Sequence, residues 1–187
     1  MSARERILDA AAQIMRERGI VKATTKEIAR AAGCSEALLY KNFSGKHELF
    51  EAVLRERLPR TLDGVEPGSG EVISNLERAT SGLIAFYREG FPIAAALFGD
   101  RDMLSSWREQ AEARGGGPDA PQRGLERYLR EEQSLGRLPP TVDPGAIASL
   151  LTGATLHEAF LASFADREIG DADALARRWV AAFALTS

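Results

Sequence analysis

Residues 24–43, TTKEIARAAGCSEALLYKNF, followed at once by SGKHELF, bring together side chains suited to recognising a polyanion. All four lysines of the chain, Lys22, Lys26, Lys41 and Lys46, fall in or beside this stretch. Residues 1–60 hold 12 lysines and arginines against 8 aspartates and glutamates, whereas residues 61–187 hold 12 against 19. A positive excess can be a solvated surface and nothing more, so its meaning depends on the elements that carry it.

Those elements read as helices. ERILDAAAQIMRERG places Ile7, Leu8, Ala11, Ile14 and Met15 at helical spacing, with Gly19 positioned to end the helix in a left-handed cap. Thr24 with Glu27 three residues on is a capping-box pattern and predicts a helix over 26–32. Gly33 stops it, and Ser35 is suited to cap a short third helix over 36–43, with Leu39 and Phe43 forming its buried face. Ser44 is expected to cap a fourth, which runs to Pro59. Two short helices about a glycine-containing turn form a helix-turn-helix, whose second helix is presented to a DNA major groove. With Leu39 inward and about 100° per residue, Ala37, Leu38, Tyr40 and Lys41 point outward, flanked by Glu36 and Asn42. Leu38 suits a thymine methyl, Tyr40 a phosphate, and Lys41 a phosphate or guanine. Lys46 opens a helix whose start disfavours cations unless both hold a phosphate.

The run TTKEIARAAGCSEALLYKNFSGKHELFEAVL resembles the DNA-binding domain of the TetR (tetracycline repressor-like) family of transcriptional regulators, and the likeness extends over residues 4–56. Its pattern is a Thr-capped helix, Ile-Ala, Ala-Gly-x-Ser, Leu-Tyr-x-x-Phe and a Lys opening helix four. The resemblance implies that Thr25, Ser35, Ala37, Leu38, Tyr40, Lys41, Asn42 and Lys46 lie near DNA and that Leu39 and Phe43 are core. Glu36, where the family often has a basic or neutral residue, and Leu38, where Thr is frequent, depart from the pattern and bear on base choice.

Beyond LPRTLDGVEPGSG the chain continues with helical patterns at 71–89, 92–98, 101–113, 121–135, 144–165 and 172–185. The expected organisation is an all-α fold: a three-helix helix-turn-helix DNA-binding domain at 1–58, a connecting linker at 59–70 and a helical ligand-sensing and dimerisation domain at 71–187. Leu83, Phe86, Tyr87, Phe91, Phe98, Met103, Leu104 and Trp107 concentrate apolar bulk in adjoining helices and are the ligand-binding candidates, although any one of them alone reads better as core; Phe91-Pro92, expected to break a helix among aromatics, is the most pocket-like spot. The helix at 144–165, capped by Asp143 with Pro144 at its first position, is apolar on two sides. Ile147, Leu150, Leu151, Ala154 and Leu161 are assigned to the core side, and Ala148, Leu156, Ala159 and Phe160 to a partner subunit, joined by Leu175, Trp179 and Phe183 of the last helix. The family's layout implies a four-helix dimer interface at these two helices.

The single cysteine, Cys34, excludes an internal disulfide and reads as a structural thiol. His47 and His157 form no metal spacing with it. Neither the charged N-terminus nor any stretch approaching the roughly 20 continuous apolar residues of a membrane span points to export or a bilayer, so a soluble cytoplasmic protein is expected, with no membrane partner. No phosphate loop, nucleophile motif or carboxylate pair suggests an enzyme. The sequence therefore predicts a homodimeric, ligand-responsive regulator, read as a repressor of a pseudo-palindromic DNA operator released by a small-molecule effector, without metal or cofactor. The other reading is a dimeric interaction module that acts through a protein partner.

Overall fold

The structure is a computed structural model of the chain, described for residues 1–113 and 116–183, with only the backbone of Ile20, Val21, Lys22, Gln110 and Glu112. Every regular element among the described residues is a helix: α1 Ala3–Lys22, α2 Thr25–Ala31, α3 Glu36–Asn42, α4 Lys46–Glu56, α5 Val72–Leu97, α6 Arg101–Ala113, α7 Ala120–Ser134, α8 Pro144–Phe164 and α9 Ala172–Val180. The chain forms two compact units, one of Met1–Leu58 with Glu89–Gly115, the other of Pro59–Arg88 with Gly116–Ser187.

In the first unit, α1 starts in a capping box that the sequence shows as Ser-x-x-Glu at 2–5. The Ser2 amide donates to the Glu5 carboxylate at 2.7 Å, and the Glu5 amide to the Ser2 hydroxyl at 3.2 Å. Gly19, at φ 73° and ψ 160°, breaks the helical path where a left-handed cap is expected. Ile7, Leu8, Ala11 and Met15 are fully buried with Ile28, Leu39, Leu49, Phe50 and Val53. Ile93 and Leu97 of α5 and Met103 of α6 belong to the same core, with Leu104 and Trp107 packed on it. The described residues 89–113 thus pack with the N-terminal helices rather than with the helical domain to which the sequence assigns them, because Ile93, Leu97 and Met103 complete this core.

Ion pairs bind α1 to its neighbours: Arg4 holds Glu56 in a two-pronged pair at 2.6 and 2.8 Å, Arg57 meets Asp9 at 2.6 Å, and Arg16 meets Glu89 at 2.6 Å. Ser44 does not cap α4. Gly45 takes the cap position without a side-chain bond, and the Ser44 amide donates to Glu48 at 2.7 Å.

In the second unit, residues 59–70 are fastened down rather than forming a free linker. Val65 is buried, Arg78 donates to the Gly64 carbonyl at 2.9 Å, and Asn75 donates to the Ser69 carbonyl at 2.7 Å. Fully buried Glu132 accepts from the Gly68 amide at 3.2 Å and pairs with Arg137 at 2.9 Å. Burial pushes the phenol of neighbouring Tyr128 up to about 12. Pro92 does not break α5, which runs through it from Val72 to Leu97; the expected helices at 71–89 and 92–98 are one. α9 ends at Val180, and residues 184 and 185 of the expected 172–185 helix lie outside the described residues.

α8 begins as expected, with Asp143 accepting from the amides of Gly145 and Ala146 and Pro144 at its first turn. Its rotation differs from expectation. Ala148 and Ala159 are buried inside the unit, at 0% and 1% exposure, whereas Leu150 at 61% and Leu161 at 37% face outward with Leu156 and Phe160. Two threonines share the buried side with Ile147 and Leu151, which are buried as expected. Thr152 and Thr155 lie on the buried side, and Thr155 tolerates burial because its hydroxyl donates to the Thr152 carbonyl at 2.9 Å. α8 is also long and apolar enough by length and composition to cross a bilayer, since small residues replace the continuous apolar run the sequence lacks; its buried side packs within the unit.

Two outcomes are expected. A Cβ at Gly82 of α5 would lie 2.6 Å from the Thr61 carbonyl oxygen. Gly82→Ala should therefore destabilise by about 1–3 kcal/mol despite its better helix propensity; an unchanged or higher urea midpoint contradicts this contact. Hydrogen bonding from Arg4 holds the Glu56 carboxyl down at about 2 against an ordinary 4.5. The stability this gives, about 1 kcal/mol for a partly open pair, is complete above pH 4.5 and lost as pH falls toward 2. Glu56→Gln should remove that part of the acid slope, and identical acid unfolding curves contradict it.

Candidate nucleic-acid interface

The presented helix is built from the turn outward. Thr24 caps α2, its hydroxyl accepting from the Glu27 amide at 3.2 Å and donating to the Glu27 carboxylate at 3.0 Å. Gly33, at φ 64°, makes the reversal a side chain would strain, and the Cys34 amide returns to the Ala29 carbonyl at 2.9 Å. Arg6 of α1 donates to the Ala32 carbonyl at 3.2 Å, a cation at the end of α2 that sequence reasoning did not single out. Ser35 caps α3 by accepting from the Leu38 amide at 3.2 Å. Leu39 and Phe43 then sink into the core at 0% and 2% exposure, with the Arg4 guanidinium 5.3 Å from the Phe43 ring centre.

With those anchors inward, Ser35, Glu36, Ala37, Tyr40 and Lys41 are exposed, and Leu38 and Asn42 are half-buried at the margins. Asn42 donates to the Leu38 carbonyl at 2.8 Å, so its amide is partly committed to its own helix. Thr25, at the start of α2, donates to Glu36 at 2.8 Å and lies 3.3 Å from the Tyr40 hydroxyl. The single Thr25 proton goes to the carboxylate, so Tyr40 is the donor in the second contact. Lys26 is exposed, and the Lys22 side chain lies outside those described. Lys46 is half-buried; burial pulls its ammonium below the usual lysine range and the nearby Asp100 carboxylate opposes the shift. Lys46 thus opens α4 partly withdrawn from solvent with an acid close by, which the spacing of residues 46 and 100 hides from sequence reading.

The ligand-binding candidates fall in both units. Leu83, Phe86 and Tyr87 lie in the second unit, where the Phe86 and Tyr87 rings meet edge-on at 5.1 Å and burial pushes the Tyr87 phenol up to about 12. Phe91, Phe98, Met103, Leu104 and Trp107 lie in the first unit. There Met103 is core, Leu104 and Trp107 pack against it, and Phe98 is 73% exposed. Of the interface candidates, Leu175, Trp179 and Phe183 are half-buried and Leu156 and Phe160 exposed. Cys34 is half-buried against the first core.

Residues 7–53 match the profile of the bacterial regulatory proteins of the tetR family. The chain is 39% identical over 72 residues to the uncharacterized HTH-type transcriptional regulator YvkB of Bacillus subtilis, covering 38% of each protein. It is 34% identical over 84 residues to the HTH-type transcriptional activator FasR of Mycolicibacterium smegmatis, covering 45% of this chain and 38% of that one. The matches thus span about two fifths of these relatives' length, and both are named as regulators, not enzymes. The solved transcriptional regulator FadR from Bacillus subtilis, in complex with stearoyl-CoA, shares the fold at a TM-score of 0.68 and 16% identity, over 95% of both chains. Over residues 7–53 the chain is thus similar to the bacterial regulatory proteins of the tetR family, the stretch that carries α1 to α4.

Proposed function

We propose that this chain is a DNA-binding transcriptional regulator that engages a pseudo-palindromic operator as a homodimer and represses until a small-molecule effector releases it. The observation that carries the reading is the α3 surface: with Leu39 and Phe43 inward, the exposed residues are Ala37, Tyr40 and Lys41 together with Glu36, and Lys46 stands at the start of α4. That mixture of methyl, hydroxyl and cation serves base-edge and phosphate contacts. The dimer reading rests on the outward stripe of α8, where Leu150, Leu156, Phe160, Leu161 and Phe164 are between 37% and 83% exposed, a poor surface for a monomer. Effector binding is assigned to the second unit near Leu83, Phe86 and Tyr87, in keeping with the ligand that the FadR neighbour holds on this fold. Working in the cytoplasm without a membrane partner follows from the same role.

Fluorescence anisotropy with duplexes selected from a random pool tests the DNA part. Tyr40→Phe and Lys46→Ala should weaken binding to all duplexes alike, whereas Leu38→Thr should change preference at one base position by about 1–3 kcal/mol. A Leu38→Thr profile identical to the parent contradicts base reading by α3. For assembly, Phe160→Glu should place an unpaired charge between subunits and give monomers in analytical ultracentrifugation; a persistent dimer moves the interface off α8.

A further inference from the structure

The exposed carboxylate in the first turn of α3 needs an account, because a negative charge facing DNA is repelled by phosphates unless it meets a donor. Glu36 is solvent-exposed, and one of its oxygens, Oε1, accepts from the Thr25 hydroxyl at 2.8 Å. Tyr40 in turn donates to Thr25 at 3.3 Å, so a Tyr40–Thr25–Glu36 relay pins the side chain toward the start of α2. Among the described residues Oε2 has no protein partner. N-terminal residues of a recognition helix are those that reach base edges. A carboxylate offers acceptors only. In the major groove cytosine presents the N4 amino group as donor, adenine places its amino group beside the N7 acceptor, and guanine and thymine turn acceptor oxygens toward the same space.

Resting on the DNA-binding reading above, we propose that Glu36 is a specificity-determining residue that selects cytosine at one position of each operator half-site, and that Thr25 is its positioning residue. Selection works largely by rejection: an acceptor-only group opposite guanine or thymine leaves two sets of lone pairs face to face. The same charge lowers affinity for non-specific duplex, so specificity is gained at the expense of overall attraction to phosphates.

The test is selection of duplexes from a random pool by the full chain, followed by competition binding at a fixed salt concentration. The parent should enrich cytosine at one position per half-site, with guanine or thymine there weakening binding about tenfold or more. Glu36→Ala should level the four bases at that position alone, leave the remaining positions unchanged and tighten binding to a non-specific duplex. Glu36→Gln should shift the position toward adenine, whose N6 and N7 a glutamine amide matches. Thr25→Val should weaken the cytosine preference at that position alone and Thr25→Ser retain it, whereas a purely structural hydrogen bond would lower binding to all duplexes alike. The proposal is overturned by identical profiles for the parent and Glu36→Ala, or by guanine or thymine at the affected position. A parent that enriches no sequence at all overturns the DNA-binding reading and this proposal with it, whereas a parent that enriches a site unaffected at Glu36 overturns this proposal alone.

Discussion

A helix of seven residues cannot hold itself together in water, because the cost of nucleation is offset only over several turns. α3, from Glu36 to Asn42, is such a helix, and its existence depends on two side chains one turn apart. Leu39 and Phe43 are almost wholly buried, each contributing about 1.5–3 kcal/mol of burial. Everything presented by α3 is a consequence of that attachment. Fixing those two residues inward leaves Glu36, Ala37, Tyr40 and Lys41 no option but the outside. The core that receives them is drawn from α1, α2 and α4 and, less obviously, from Ile93, Leu97 and Met103 far along the chain.

The polar side chains around this helix divide by how far their hydrogen bonds are already committed. Ser35 caps, Asn42 bonds to its own helix, and Thr25 donates to Glu36. These groups hold the surface in shape. Ala37 and Lys41 carry no such commitment among the described residues, and they offer the methyl and the cation that a DNA groove can meet. Lys46 is intermediate, since burial and Asp100 act on its charge in opposite directions. An interface read only as a set of basic residues would miss that α3 also presents an exposed acid, oriented by a hydrogen bond from Thr25.

What was legible in the sequence was whatever local chemistry determines. Thr24, Gly33, Ser35 and the Leu39–Phe43 pair mark the helix-turn-helix because caps, a positive φ and a two-residue apolar face each act within one or two turns. Asp143 and Pro144 mark the start of α8 for the same reason. The rotation of α8 was not legible, because hydroxyl groups count as polar in a pattern while Thr155 is satisfied by a carbonyl three residues back. Nor was the allegiance of residues 89–113 or the tethering of 59–70, which depend on packing and on Glu132 and Arg137 far from them in sequence. Proline content at 59–67 and glycine content at 64–70 suggested a loose linker, but those residues make turns that fold back onto their own unit.

The central claim is that α3 is the surface that meets DNA, and it does not require the operator to be known. Non-specific duplex binds such a surface at low salt through phosphate contacts. Titration of the isotopically labelled full chain with a short duplex of arbitrary sequence, followed by backbone amide chemical shifts, reads the contact surface residue by residue. The account predicts that perturbations concentrate in Ser35–Asn42, at Thr25 and at the start of α4, and fade as salt is raised. Perturbations confined to α7, α8 or α9, with α3 unmoved at low salt, would contradict it.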